Sequence, residues 1–159
     1  MKIIIKKQLK LCVILFLLIV SACSGSRGTP SNNDKAVVST ACNIEKINGQ
    51  VGDTVSLKGR VVNIQGWSAD STTETAPEKL SVQLLDVRGN LILSDRAIRR
   101  ISRLDVVNAL NISAYGMAGF EASVDLKDLK PATYGLSIIM ARPGLLVICQ
   151  SNKKIILRQ

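Results

Sequence analysis

From residue 36 onward, apolar and polar positions alternate in short runs broken by turn residues, a pattern that predicts strands rather than long helices. Ala36-Val37-Val38 and Cys42–Ile47 come first and end at Asn48-Gly49. Over Thr54–Val62 the alternation places Val55, Leu57 and Val61 on one face and Ser56, Lys58 and Arg60 on the other. Leu80–Val87 follows, and its doubled leucine at 84 and 85 predicts a bulge where the phase slips. Gly89-Asn90 turns this strand into Leu91–Leu93, a hairpin by its turn residues. Phe120–Leu126 alternates at a two-residue period with an acidic outer side. Tyr134, Leu136, Ile138 and Met140 keep the same period, Arg142-Pro143-Gly144 turns into Leu145–Cys149, and Lys153–Arg158 predicts a last strand.

One segment departs from the pattern. Between Arg96 and Leu110, Ile98, Ile101, Leu104, Val107 and Leu110 recur at every third position, which predicts either a short helix or an irregular crossover. About seven to eight strands, short turns and one such crossover predict an all-β fold, an antiparallel β-sandwich over residues 36–159. If the segment is helical, Arg96, Arg99, Arg100 and Arg103 fall at i, i+3, i+4 and i+7 and form one cationic face. That face would suit phosphate or carboxylate groups of a lipid headgroup, an anionic glycan or an envelope protein, or it is an ordinary solvated surface.

The first 22 residues have a different character. Lys2, Lys6, Lys7 and Lys10 precede the uninterrupted apolar run Leu11–Val20, and Ser21-Ala22 follow, the three parts of a secretory signal. A run of ~10 residues spans roughly 15 Å as a helix, half of a ~30 Å hydrocarbon core, so a signal is expected here rather than a permanent span. Val20-Ser21-Ala22-Cys23 resembles a bacterial lipobox. The resemblance implies cleavage before Cys23, lipid on its thiol, and a membrane anchor through two or three acyl chains. Residues 23–35 are then the lipidated cysteine and a small, polar, flexible tether. Ser24, in place of aspartate, fits outer-membrane sorting in lipoproteins of that kind, with the domain facing the periplasm.

Composition narrows the chemistry. The formal charge is +9, but losing four lysines with the signal leaves 17 basic and 12 acidic side chains, or +5. An exported, mildly basic chain with 3% aromatic residues is a poor nucleic-acid binder. Histidine is absent, which removes Ser-His-Asp and Cys-His catalysis and most zinc and copper sites. No phosphate-binding glycine loop, nucleophile elbow or calcium-loop spacing is present, so neither an enzyme nor a cofactor or metal is expected. Of the four cysteines, Cys12 leaves with the signal and Cys23 carries lipid. Cys42 and Cys149 remain in an oxidising compartment, to be paired as a disulfide or buried as separate thiols.

Leu129-Lys130-Pro131-Ala132-Thr133-Tyr134 resembles the turn that enters a late strand in immunoglobulin-like sandwiches, where the tyrosine hydroxyl bonds back to the backbone. Gly66-Trp67-Ser68-Ala69-Asp70, with Arg103-Leu104-Asp105-Val106 and Gly119-Phe120, is similar to a class of bacterial sandwich domains found beside glycan-handling enzymes. Those domains carry a Gly-Trp-x-x-Asp strand end and an Arg-x-Asp-Val crossover. The likeness spans most of residues 50–140, with Leu104 where the class has proline, and it implies no catalytic activity. Trp67 is then either a sugar platform with Asp70 as hydrogen-bond acceptor or a core side chain at a strand end. The expectation is a non-catalytic binding or adaptor module of the bacterial envelope, contacting a glycan or an envelope protein. The alternative is a structural or exclusion-type lipoprotein that blocks or stabilises an envelope assembly.

Overall fold

A computed structural model describes residues 35–95 and 98–158. The expected signal, Cys23, the tether before Lys35, and Arg96 lie outside the described residues. Two sheets pack face to face. The larger contains β1 (Lys35–Val38), β3 (Thr54–Leu57), β5 (Lys79–Leu85), β6 (Leu91–Asp95), β9 (Thr133–Arg142) and β10 (Leu145–Leu157), in the order β1-β10-β9-β5-β6. The smaller contains β2 (Cys42–Ile47), β4 (Val61–Ser68), β7 (Ile98–Ile101) and β8 (Gly119–Asp125), in the order β2-β4-β8-β7. One short helix, α1 (Leu104–Leu110), and a 3-10 turn at Ser113–Met117 connect β7 to β8. The fold is the all-β sandwich expected, with ten strands among the described residues rather than seven to eight.

The core forms because each strand buries alternate side chains against the facing sheet. Val62, Ile64, Phe120, Ala122 and Val124 come from the smaller sheet, and Val82, Leu84, Leu136, Ile138 and Ile155 from the larger; each is at most 1% exposed. In the turn that ends β2, closed by the Ile47–Gln50 bridge, Asn48 (φ 50°) and Gly49 (φ 76°) both take the left-handed region, the condition for a tight two-residue turn. Cys42 on β2 and Cys149 on β10 form a disulfide between the two sheets, their Cα atoms 6.3 Å apart. The Tyr134 hydroxyl donates to the Lys130 carbonyl at 2.8 Å, so the turn before β9 has the bonding pattern of the immunoglobulin-like corner.

Three sequence expectations change. Thr54–Val62 is not one strand: β3 pairs parallel with β10 in the larger sheet, and β4 starts at Val61 in the smaller one. The inward side moves from Val55 and Leu57 to Val62 and Ile64, leaving Val61 51% exposed. Lys153–Arg158 is no separate strand either. It continues β10 past a register shift between Gln150 and Lys154, where the buried Lys153 ammonium donates to the Gly52 carbonyl at 2.8 Å. Finally, the three-residue spacing over 96–110 mixes a strand, β7, with a helix, α1. The bulge expected at Leu84-Leu85 is present in the β5–β6 pairing.

Candidate functional site

The residues singled out from sequence gather at one end of the sandwich, where β4 ends, β8 begins and α1 packs. Gly66 and Ser68 lie on the inward side of β4, and Trp67 projects to the outer side. Trp67 is only partly buried. It packs against a second small core of Ala69, Val106, Tyr115 and Ala118, which seats α1 and the 3-10 turn on the sandwich. Its ring therefore serves packing in part and is not an open platform.

Asp70 is not a free acceptor. Its carboxylate is buried, accepts from the Thr72 N–H at 2.9 Å and from the Thr72 hydroxyl, and faces Arg142 at 3.4 Å. Burial pushes this carboxyl up, but the Thr72 hydrogen bonds and Arg142 together outweigh it, and the net shift is downward. Of the two alternatives for Trp67, a sugar platform with Asp70 or a core side chain, the first loses its acceptor to a loop clasp, with Arg142 also donating to the Thr72 hydroxyl at 2.7 Å.

Nor do the arginines form one helical face. Arg99 and Arg100 stand on β7, where neighbouring side chains point to opposite sides of the sheet. Arg99 lies on the outer side, 74% exposed, and pairs with Glu121 of β8. Arg100 sits on the inner side of this edge strand, opposite Phe120. One guanidinium nitrogen donates to the Met117 carbonyl, the other terminal nitrogen is buried without a protein partner, and burial pushes the group's pKa down.

Arg103 precedes α1 and is a brace rather than a docking group. Its guanidinium reaches Glu45 of β2 through two bonds of 2.9 and 2.8 Å, and Asp105 through bonds of 2.8 and 2.7 Å. The side chain is 16% exposed. It crosses directly over Gly119, where a Cβ would stand 2.6 Å from both Arg103 Cγ and the Ile101 carbonyl. The Arg-x-Asp-Val and Gly-Phe motifs are thereby one unit: glycine leaves the space, arginine fills it, and Asp105 and Glu45 neutralise it. Glu45 had no signal in the sequence, because it lies 58 residues from its partner.

The hydrogen bonds from Arg103 hold the Asp105 carboxyl down at about 2. A depressed folded-state pKa means that this pairing stabilises fully above the ordinary carboxylate value of ~3.9 and is lost as pH falls from there through about 2. In an NMR titration Asp105 should still be ionised at pH 3. In Arg103→Met, whose stem still covers Gly119, its midpoint should return toward ~3.9. An unchanged midpoint in that variant would show that the arginine is not the cause.

The outer face of the smaller sheet holds the open polar groups that sequence reading missed. One row crosses three strands, Gln65–Glu121–Arg99. The Gln65 amide donates to Glu121 Oε1 at 3.0 Å and Arg99 Nε to Oε2 at 3.1 Å. Asn63 and Ser123 make the next row, both exposed, and Trp67 with Gly119 the row on the other side. The Arg99 guanidinium first, and then the Gln65 amide, draw the Glu121 carboxyl below its usual range. Arg99 and the acidic outer side of β8 were signalled in advance, whereas Gln65 was not. Among the described residues, no three acidic or cysteine side chains are grouped to hold a metal ion, and no helix is long and apolar enough to cross a membrane. No family model matches the chain, and no curated protein matches it in sequence.

Proposed function

We propose that this chain is a membrane-tethered, non-catalytic binding module of the bacterial envelope, lipidated at Cys23, cut from its signal at Ala22, and held at the periplasmic side of the outer membrane. The observation that carries the reading is the outer face of the smaller sheet. Its amide, carboxylate and guanidinium groups form a row, Gln65–Glu121–Arg99, already oriented by mutual hydrogen bonds and flanked by Trp67. A pre-oriented row of flat donors and acceptors beside an aromatic edge suits the hydroxyls and apolar faces of a glycan, or the polar rim of an envelope protein. The inter-sheet disulfide supports a life in an oxidising compartment.

The test uses the mature protein on an array of envelope glycans and in pull-downs from envelope extracts. Gln65→Ala with Glu121→Ala should weaken binding at least tenfold without changing the unfolding midpoint by more than a few degrees. Silence of the unaltered protein in both assays would reject the binding module and favour a structural or exclusion role. Palmitate labelling that persists in Cys23→Ser would reject the anchor.

A further inference from the structure

The two outer faces of the sandwich differ in kind. On the smaller sheet the outer face is polar and carries charges of both signs, Glu45, Lys46, Glu121, Asp125 and Arg99, with Glu45 paired to Arg103, Glu121 to Arg99 and Asp125 to Lys127. On the larger sheet, two full rows run across four strands: Val38–Ile148–Ile139–Ser81 and Ala36–Leu146–Ala141–Lys79. These are outward positions, because the alternate residues Val37, Val147, Ile138, Met140, Leu80 and Val82 belong to the core. Ala36, Val38, Ile139, Ala141, Leu146 and Ile148 thus make a contiguous apolar surface on the wrong side for the core. Ser81 and Ile139 at its centre are buried, Leu146 and Ile148 are partly buried, and Val38 at its margin is 67% exposed. On β1, β3, β5, β9 and β10 the charged outward positions are Lys79 and Lys154, with no carboxylate among them.

We infer that the outer face of the larger sheet lies on an anionic bilayer, the one to which the chain is tethered. Three observations select that occupant. Strand β1, which bears Ala36 and Val38, is where the chain enters the domain, at Lys35. Cys23 is twelve residues earlier, a reach of at most ~40 Å, so an anchor there keeps this edge within that distance of the lipid. The face is apolar with lysines and lacks acids, which complements anionic headgroups, whereas the opposite face is polar and carries carboxylates. The apolar area is small: at ~4.8 Å between strands and ~6.8 Å between same-side residues, six positions cover roughly 200 Å². That is well below the ~800 Å² per partner of a stable dimer, yet it is sufficient as a second contact beside a lipid anchor. The orientation leaves the Gln65–Glu121–Arg99 row pointing away from the membrane.

This inference rests on the lipoprotein reading, and the experiment separates the two. The lipidated full-length mature protein is reconstituted in vesicles of phosphatidylethanolamine with phosphatidylglycerol, or with phosphatidylcholine instead, at about one copy per vesicle and at high copy number. Hydroxyl-radical footprinting then reads the side chains. At one copy per vesicle in the anionic lipid, oxidation of Val38, Leu146 and Ile148 should fall at least threefold relative to Val61 and Val87. In the neutral lipid the fall should be smaller. Val38→Glu with Lys79→Glu, both at exposed positions, should abolish the protection while palmitate labelling and the disulfide stay intact. Equal oxidation with and without anionic vesicles, in protein shown to be lipidated, would overturn the docking face alone. Protection that appears only at high copy number would assign the face to a second copy. Failure to incorporate palmitate would overturn the anchor reading and this inference with it.

Discussion

Replacing Cys42 and Cys149 together with alanine is expected to cost the domain about 3–5 kcal/mol, the largest stability loss of any surface-neutral change. The bridge closes a loop of 107 residues. The chain-entropy relation puts the denatured-state constraint for a loop of that length near ~4.7 kcal/mol, and measured losses in small secreted domains run from about 2 to 5 kcal/mol. A domain of this size has only ~5–15 kcal/mol in hand. The loss should therefore lower the thermal midpoint by roughly 10–20 °C, at ~4 °C per kcal/mol. The bridge also joins the edge strand β2 to the interior strand β10 of the larger sheet, so the reduced protein should lose β2 protection first in hydrogen exchange. Urea unfolding of the oxidised protein against the double variant measures the cost. A difference under ~1 kcal/mol, together with two alkylatable thiols in the unaltered protein, would refute the staple.

The second large effect is expected at Gly66. A Cβ there would land inside the van der Waals shell of the Asn43 carbonyl oxygen and 3.1 Å from Ile44 Cα, all backbone atoms of β2. The strand cannot retreat easily. Cys42 pins one end through the disulfide, Glu45 is held by Arg103, and the register already shifts between Ile44 and Lys46 to follow β4. Gly66→Ala should then cost at or above the upper end of the ~1–3 kcal/mol typical of overpacking, by detaching β2. Gly52→Ala is the control, since nothing stands within 4 Å of a Cβ there, and it should change stability by less than ~0.5 kcal/mol. Equal unfolding midpoints for the two variants would show that β2 has room that this packing denies it.

How much of this was readable in advance follows from the range of each interaction. β8 and β9 were legible because inward and outward positions alternate within a single strand, and Phe120, Val124, Leu136 and Ile138 all reach the core that this alternation implies. The turn at Asn48-Gly49 and the tyrosine corner were legible for the same reason, since each is made by residues within four positions of one another. The break between β3 and β4 was harder. Its one local trace is the slip of the inward side from Leu57 to Val62, which a reading that joined Val61 to Val55 and Leu57 passed over. The ten-strand count also depended on the parallel pairing of both β1 and β3 with β10, which connects residues about a hundred positions apart.

The candidate site divides along the same line. Residue type and spacing alone determined the alternating strands, the turn chemistry, the absence of histidine chemistry, and the two cysteines left to pair, because these depend on covalent geometry and nearest neighbours. Only the tertiary structure decided what each polar side chain does. The arginine spacing promised a shared face, but β7 sends Arg99 outward to Glu121 and Arg100 inward beneath Phe120, and α1 turns Arg103 into a brace on Glu45. Asp70 found Arg142 across 72 positions, and Gln65, Glu121 and Arg99 became a row only when three strands lay side by side. A charge has no preferred partner until folding sets the distances and removes the water between them, so burial and strand order, rather than local pattern, chose among the carboxylates available to each arginine.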